Sequence, residues 1–205
     1  LETALSECGG IDKTIWFGCR DKTITINNTG DVTNGWSARK FDCDGLTIDG
    51  NGQDIVFELD PPCFENNPDN EPNPETNPDV CPDEGSDGFL VLRGDGNTVR
   101  DITLRYFQQG IKTKGDGNTV ELVTFDRHCA EAVVNDSSGS GNLFKDVTVN
   151  NGCEICARLY GGQIPTTVSN PFDNAYYNAV IDGAVFNNCE RPVWASGSAS
   201  GGRYL

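Results

Sequence analysis

The stretch GDGNTVRDITL, residues 94–104, returns as GDGNTVELVTF at residues 115–125, twenty-one positions later. That offset is too short for a repeated domain and matches one turn of a solenoid. The repeat extends outward on both sides. Upstream, LTIDGNGQDIVFEL from Leu46 carries Gly50-Asn51-Gly52 where the repeat has Gly94-Asp95-Gly96. Downstream, GNLFKDVTVNNGC from Gly141 matches GNTVELVTFDRHC from Gly117 at an offset of twenty-four, and DGAVFNNC from Asp182 echoes DVTVNNGC from Asp146. Each unit reads as a short alternating strand, a Gly/Asn/Asp turn, a second strand, a polar turn and a third strand. Coils of ~21–24 residues with several short strands predict an all-β parallel solenoid. A β-sandwich would not repeat its turns at a constant offset, and the fixed Leu/Asn frame of a leucine-rich repeat is missing.

In a parallel coil, equivalent residues stack about 4.8 Å apart. The repeat therefore predicts inward columns: Ile102, Val123, Val147 and Ala184, then Leu104, Phe125, Val149 and Phe186. Asn150-Asn151 and Asn187-Asn188 fall in corresponding turns, where stacked amides can hydrogen-bond. Cys129, Cys153 and Cys189 fall near one column, either as buried sulfur or as a disulfide between neighbouring coils. No column shows the regular Thr or Ala array that an ice-binding face would need.

One domain is expected over residues 1–205. Residues 1–40 read as an N-terminal cap and first coil, stapled by Cys8, Cys19 and Cys43. Residues 60–88 hold seven of the ten prolines and little that is apolar, so they form an acidic insertion with no core of its own. Cys63 and Cys81 flank it and are expected to tie it shut. The final GGRYL reads as a further strand whose exposed end needs a cover, by the N-terminal segment, further chain or self-association with another copy.

Nine cysteines predict disulfides and an oxidising, extracellular compartment; Cys153-x-x-Cys156 has no second pair, and there is a single histidine, His128, to complete a zinc site. A chain without Met that opens on Leu1 reads either as a secreted protein with its leader removed or as a trimmed sequence. The net charge of −16 argues against nucleic acid, and no apolar run is long enough to span a membrane. No nucleophile elbow, P-loop, zincin or dinucleotide motif occurs.

Chemistry concentrates on one exterior sheet. The strands FLVLR, IKTKG, VVNDS and ARLYG follow turns that end in Asp87, Gln109 and Glu131. Lys112 and Lys114 alternate outward on one strand, Arg93 and Arg158 lie on neighbouring strands, and Asp87 and Glu131 sit at the margin. Trp194 belongs to the corresponding strand of a later unit, where a ring can stack on a sugar.

This pattern resembles the right-handed parallel β-helix of the pectate lyase-like superfamily over most of residues 40–205. It is most similar to the small secreted pectate lyases, on Asp87-Gly88-Phe89, Gln109-Gly110-Ile111-Lys112 and Ala130-Glu131-Ala132-Val133. Gln109 stands where that family has Asp, and Glu131 stands alone for its Glu-Asp pair. The resemblance implies Ca²⁺ held by Asp87 and Glu131, with the nearby Lys and Arg performing catalysis. The function it implies is a polysaccharide lyase that cleaves a uronate polymer by β-elimination. Lys112 would be the base and Arg158 the second catalytic residue, with Lys114, Arg93 and Trp194 binding substrate. The alternative is a non-catalytic adhesin or carbohydrate-binding β-helix.

Overall fold

The computed structural model describes residues 14–27, 39–60, 89–107, 109–128, 130–136, 139–152, 155–160 and 179–196. They form six stacked layers of three short strands. The first holds β1 (Thr14–Trp16), β2 (Thr23–Asn27) and β3 (Arg39–Phe41), and the second β4 (Thr47–Asp49), β5 (Ile55–Asp60) and β6 (Leu90–Leu92). The third holds β7 (Thr98–Arg100), β8 (Ile102–Arg105) and β9 (Ile111–Thr113), and the fourth β10 (Thr119–Glu121), β11 (Thr124–Asp126) and β12 (Glu131–Asn135). The fifth holds β13 (Asn142–Lys145), β14 (Thr148–Asn150) and β15 (Ile155–Tyr160), and the sixth β16 (Ala179–Asp182), β17 (Val185–Asn187) and β18 (Arg191–Ser196). All pairing is parallel. It gives sheet A (β1-β4-β7-β10-β13-β16), sheet B (β2-β5-β8-β11-β14-β17) and sheet C (β3-β6-β9-β12-β15-β18). This is the all-β, right-handed parallel β-helix that the repeat predicts.

The corners explain why the chain turns where it does. Between sheets A and B a residue in the left-handed region stands at the bend of every layer, Asp21, Asp54, Asp101, Leu122, Asp146 and Gly183, joined in the second layer by Asn51 and Gly52. Asp and Gly tolerate that conformation, whereas Leu122 does not gain from it. Between sheets B and C the same role falls to Tyr106, Arg127, Asn151 and Asn188. Asn187 Nδ2 donates to Asn150 Oδ1 at 2.9 Å and Asn188 Nδ2 to Asn151 Oδ1 at 3.1 Å, so the expected amide stacking is present.

The corner between sheets C and A carries the DGN phrase itself, and it builds two ladders. Asp95 N donates to Asp44 Oδ1, Asp116 N to Asp95 Oδ1 and Ser140 N to Asp116 Oδ1, all on the exposed side. Inside, Leu46 N donates to Asn97 Oδ1, Asn97 N to Asn118 Oδ1 and Asn118 N to Asn142 Oδ1, at 2.7–2.9 Å. The repeated Asp and Asn therefore each satisfy backbone of the neighbouring coil, one in water and one in the core.

The predicted inward columns pair in register: Leu104, Phe125, Val149 and Phe186 are successive partners. Leu104, Phe125 and Val149 are buried. Phe17, Phe57, Phe89 and Phe107 add an aromatic run with ring centroids 4.5–5.6 Å apart. Outward columns on two sheets alternate charge. On sheet A, Arg100 meets Asp49 at 2.6 Å and Glu121 at 3.6 Å; on sheet B, Arg105 meets Glu58 and Asp126, both at 3.2 Å.

Register also corrects one reading. Thr14, Thr47, Thr98 and Thr119 form a continuous outward column, and Thr103, Thr124 and Thr148 form another. Regular Thr arrays do exist, each beside a column of charged side chains. Cys189 is bonded to Cys156, which joins the fifth and sixth layers. Cys19 is free and exposed, so it does not staple the first coil, whereas Cys43 is disulfide-bonded. The 61–88 insertion with Cys63 and Cys81, residues 197–205, and Cys8, Cys129 and Cys153 lie outside the described residues.

Candidate functional site

Sheet C differs from its two neighbours. Its central outward column runs Val91, Lys112, Val134, Arg158, Trp194, one residue per layer from the second to the sixth. Unlike the columns on sheets A and B, it contains no acid. Register thus brings Lys112, Arg158 and Trp194 onto one line, as the sequence predicted for a shared face. Lys112 and Arg158 are two strand spacings apart, about 10 Å along the solenoid. Val91 and Val134 point outward yet are 0% and 3% exposed, so the face is not bare sheet.

A bulge shapes the margin. Ala132 and Val133 both enter the core, and so do Cys156 and Ala157 in the next layer. That extra inward residue turns Glu131 to the outside, next to Arg158. Glu131 is 4% exposed, and both of its oxygens are taken. Oε1 accepts from Arg158 Nη1 at 2.5 Å, and Oε2 accepts from Gln109 Nε2 at 2.7 Å. Arg158 also lies over the Trp194 ring at 4.1 Å and the Tyr160 ring at 4.9 Å, two cation–π contacts that fix its plane. Its Nε is buried without a partner.

A second line of side chains follows the strands. Lys112 Nζ lies 3.4 Å from Asp136 Oδ2, and Arg93 lies 3.9 Å from Asp42 across an exposed gap. Lys114 directly follows β9, and Tyr160 ends β15. Burial pushes the Tyr160 phenol up, Arg158 pulls it down, and Glu131 and Asp136 push it up again. The phenol therefore remains a proton donor near neutral pH.

Sequence reasoning named Lys112, Lys114, Arg93, Arg158, Glu131 and Trp194 for this face. It missed Asp136 and Tyr160, although Tyr160 stands two positions after Arg158 and so shares its side of the strand. Asp87 lies outside the described residues. Among the described residues no three His, Cys, Asp or Glu side chains come together as a metal-binding group. Glu131, held by two donors, does not fit a calcium ligand as it stands, so no step below is routed through the ion.

His128 is set apart from this chemistry. It occupies the inward turn position above Phe107, is 2% exposed, and has no hydrogen-bond partner on either ring nitrogen. Burial lowers its pKa to about 4, against the opposing effect of the nearby Ile155 backbone, which falls short of hydrogen-bond geometry, and of the Asp126 charge. It is a core residue.

No family model, curated protein or solved structure matches this chain. Among the described residues no helix is long and apolar enough to cross a membrane, and the Cys156–Cys189 disulfide is compatible with an extracellular location.

Proposed function

We propose that sheet C is the binding face for an acidic extracellular polysaccharide. The observation that carries this reading is the acid-free column with Lys112, Arg158 and Trp194 in register. Sheets A and B neutralise their arginines within the column; sheet C leaves its bases to flanking acids and adds two aromatic rings. On a chain of net charge −16, a face that gathers Lys112, Arg158, Arg93 and Lys114 selects for carboxylated sugars over neutral ones. A guanidinium presents five donors in a plane, and Glu131 engages only Nη1, so donors remain for a sugar carboxylate. Trp194 and Tyr160 supply the apolar surface on which pyranose rings rest.

Cleavage by β-elimination is the second reading, in line with the likeness to small pectate lyases. Its chemistry needs three roles. A base removes the proton next to the uronate carboxylate, a cation offsets the charge that develops there, and the bond to the leaving oxygen breaks as a carbon–carbon double bond forms. The leaving oxygen takes a proton. Lys112 is the candidate base and Arg158 the cation, and the protonated Tyr160 is the donor within reach of Arg158. The pairing of Lys112 with Asp136 favours binding over proton removal, because that contact must open before the amine can act.

The test is incubation with a panel of uronate polymers, followed both by affinity and by ultraviolet absorbance of new unsaturated ends. Binding without new absorbance supports the binding module, and binding with it supports the lyase. Equal affinity for neutral and acidic polymers refutes both.

A further inference from the structure

Resting on that reading, we infer that the face takes its anionic ligand without a divalent cation: Arg158, held in place by Glu131, supplies the positive charge that a bound metal would otherwise bring. The donor set leads here. A calcium ion takes six to eight oxygens, with carboxylates prominent among them. Among the described residues Glu131 is the one acid of its line on this face. Gln109 precedes it, and Ile155 and Arg191 are its partners in the next two layers. Its oxygens accept at 2.5 and 2.7 Å, and at 4% exposure the carboxylate is nearly closed to solvent. A metal would have to displace Arg158 from a nearly buried acid, leaving a guanidinium held against Trp194 within a few ångströms of the ion.

The same contacts orient Arg158 for an anion. Glu131 anchors one end of the guanidinium, and the Trp194 and Tyr160 rings hold its plane. Its neighbours in the column are Val134 and Trp194, so among the described residues no acid flanks it along the column. On sheets A and B the corresponding arginines are flanked by acids on both sides along the column and have no such vacancy. Glu131 is thus a positioning residue and Arg158 the ligand-binding one.

The experiment measures affinity for polygalacturonate at fixed ionic strength in EDTA and in calcium chloride, for wild type, Glu131→Gln and Arg158→Gln. Circular dichroism establishes that each variant is folded. Wild type is expected to bind with less than about a twofold difference between the two conditions, and Arg158→Gln to lose about tenfold or more in both. Glu131→Gln keeps an acceptor for Arg158 and removes the negative charge that opposes an anionic ligand, so it should bind more tightly than wild type in both conditions. Binding that requires calcium, with Glu131→Gln weaker, overturns the inference and leaves the polysaccharide reading standing. Absence of binding in both conditions overturns the two together.

Discussion

Asn118→Ala probes the ladder that makes the repeat phrase necessary. Asn118 is fully buried, and its Oδ1 accepts the Asn97 backbone N–H at 2.9 Å. Alanine leaves that N–H buried without a partner, at a cost of about 1–3 kcal/mol. Two smaller effects nearly cancel. The Asn118 Nδ2 already lacks a partner, so its removal relieves roughly 1 kcal/mol, while the void left behind costs about as much. The expected net loss is about 2 kcal/mol, or a drop of roughly 4–8 °C in Tm for a chain of this length. Asp116→Ala is the matched control. It removes the acceptor of Ser140 N–H in the same turn, but on the exposed side, where water replaces it. Its cost should stay below about 1 kcal/mol. Thermal and urea unfolding followed by circular dichroism give both numbers. Asn118→Ala within about 0.5 kcal/mol of wild type, or Asp116→Ala costing more than Asn118→Ala, would refute the division into an inner and an outer ladder.

Three further outcomes follow from single features. His128 has a pKa lowered to about 4 from 6.5, so the unfolded chain binds its proton first. Its contribution is intact above pH 6.5 and is lost as pH falls toward 4, about 3 kcal/mol in all. His128→Phe, which copies Phe107 in the layer before, should flatten that stretch of the stability–pH curve, and an unchanged slope would refute it. Leu122→Gly should raise stability by about 1 kcal/mol, because in the column Asp21, Asp54, Asp101, Leu122, Asp146, Gly183 it is the one residue that is neither Asp nor Gly; a lower urea midpoint would count against the corner assignment. Replacing Cys156 and Cys189 together by Ala opens a link across 33 residues and should cost about 3–4 kcal/mol in reversible unfolding; no loss would mean that the sixth layer is held by its strand pairing alone.

Much of the fold was legible because a solenoid writes its contacts into its period. Once residues 94–104 align with 115–125, Thr103 must stack on Thr124 and Leu104 on Phe125, and they do. The first outward Thr column was missed for a related reason. Thr47 and Thr98 are 51 residues apart because residues 61–88 intervene, so the constant offset fails to extend the first column beyond Thr98 and Thr119, whereas Thr103, Thr124 and Thr148 keep the offsets of the apolar columns. The candidate face was legible in its bases and opaque in its acids. Strand parity puts Lys112, Arg158 and Trp194 outward, but the bulge at Ala132-Val133 shifts Glu131 by one position and decides that it meets Arg158. No period encodes a bulge. The pairing of Lys112 with Asp136 and the place of Tyr160 beside Arg158 depend on side-chain reach, which register alone does not give.

The most direct measurement compares polygalacturonate affinity for two charge reversals on different sheets, Lys112→Glu on sheet C and Lys145→Glu on sheet A, with folding checked by circular dichroism. Lys145 is the more exposed of the two, at 45% against 20% for the side chain, so general attraction alone would favour the sheet A site. A binding face on sheet C predicts a loss of about tenfold or more for Lys112→Glu and less than about twofold for Lys145→Glu, whose effect is screened over distance. Equal losses in the two variants, or a larger loss for Lys145→Glu, would contradict it.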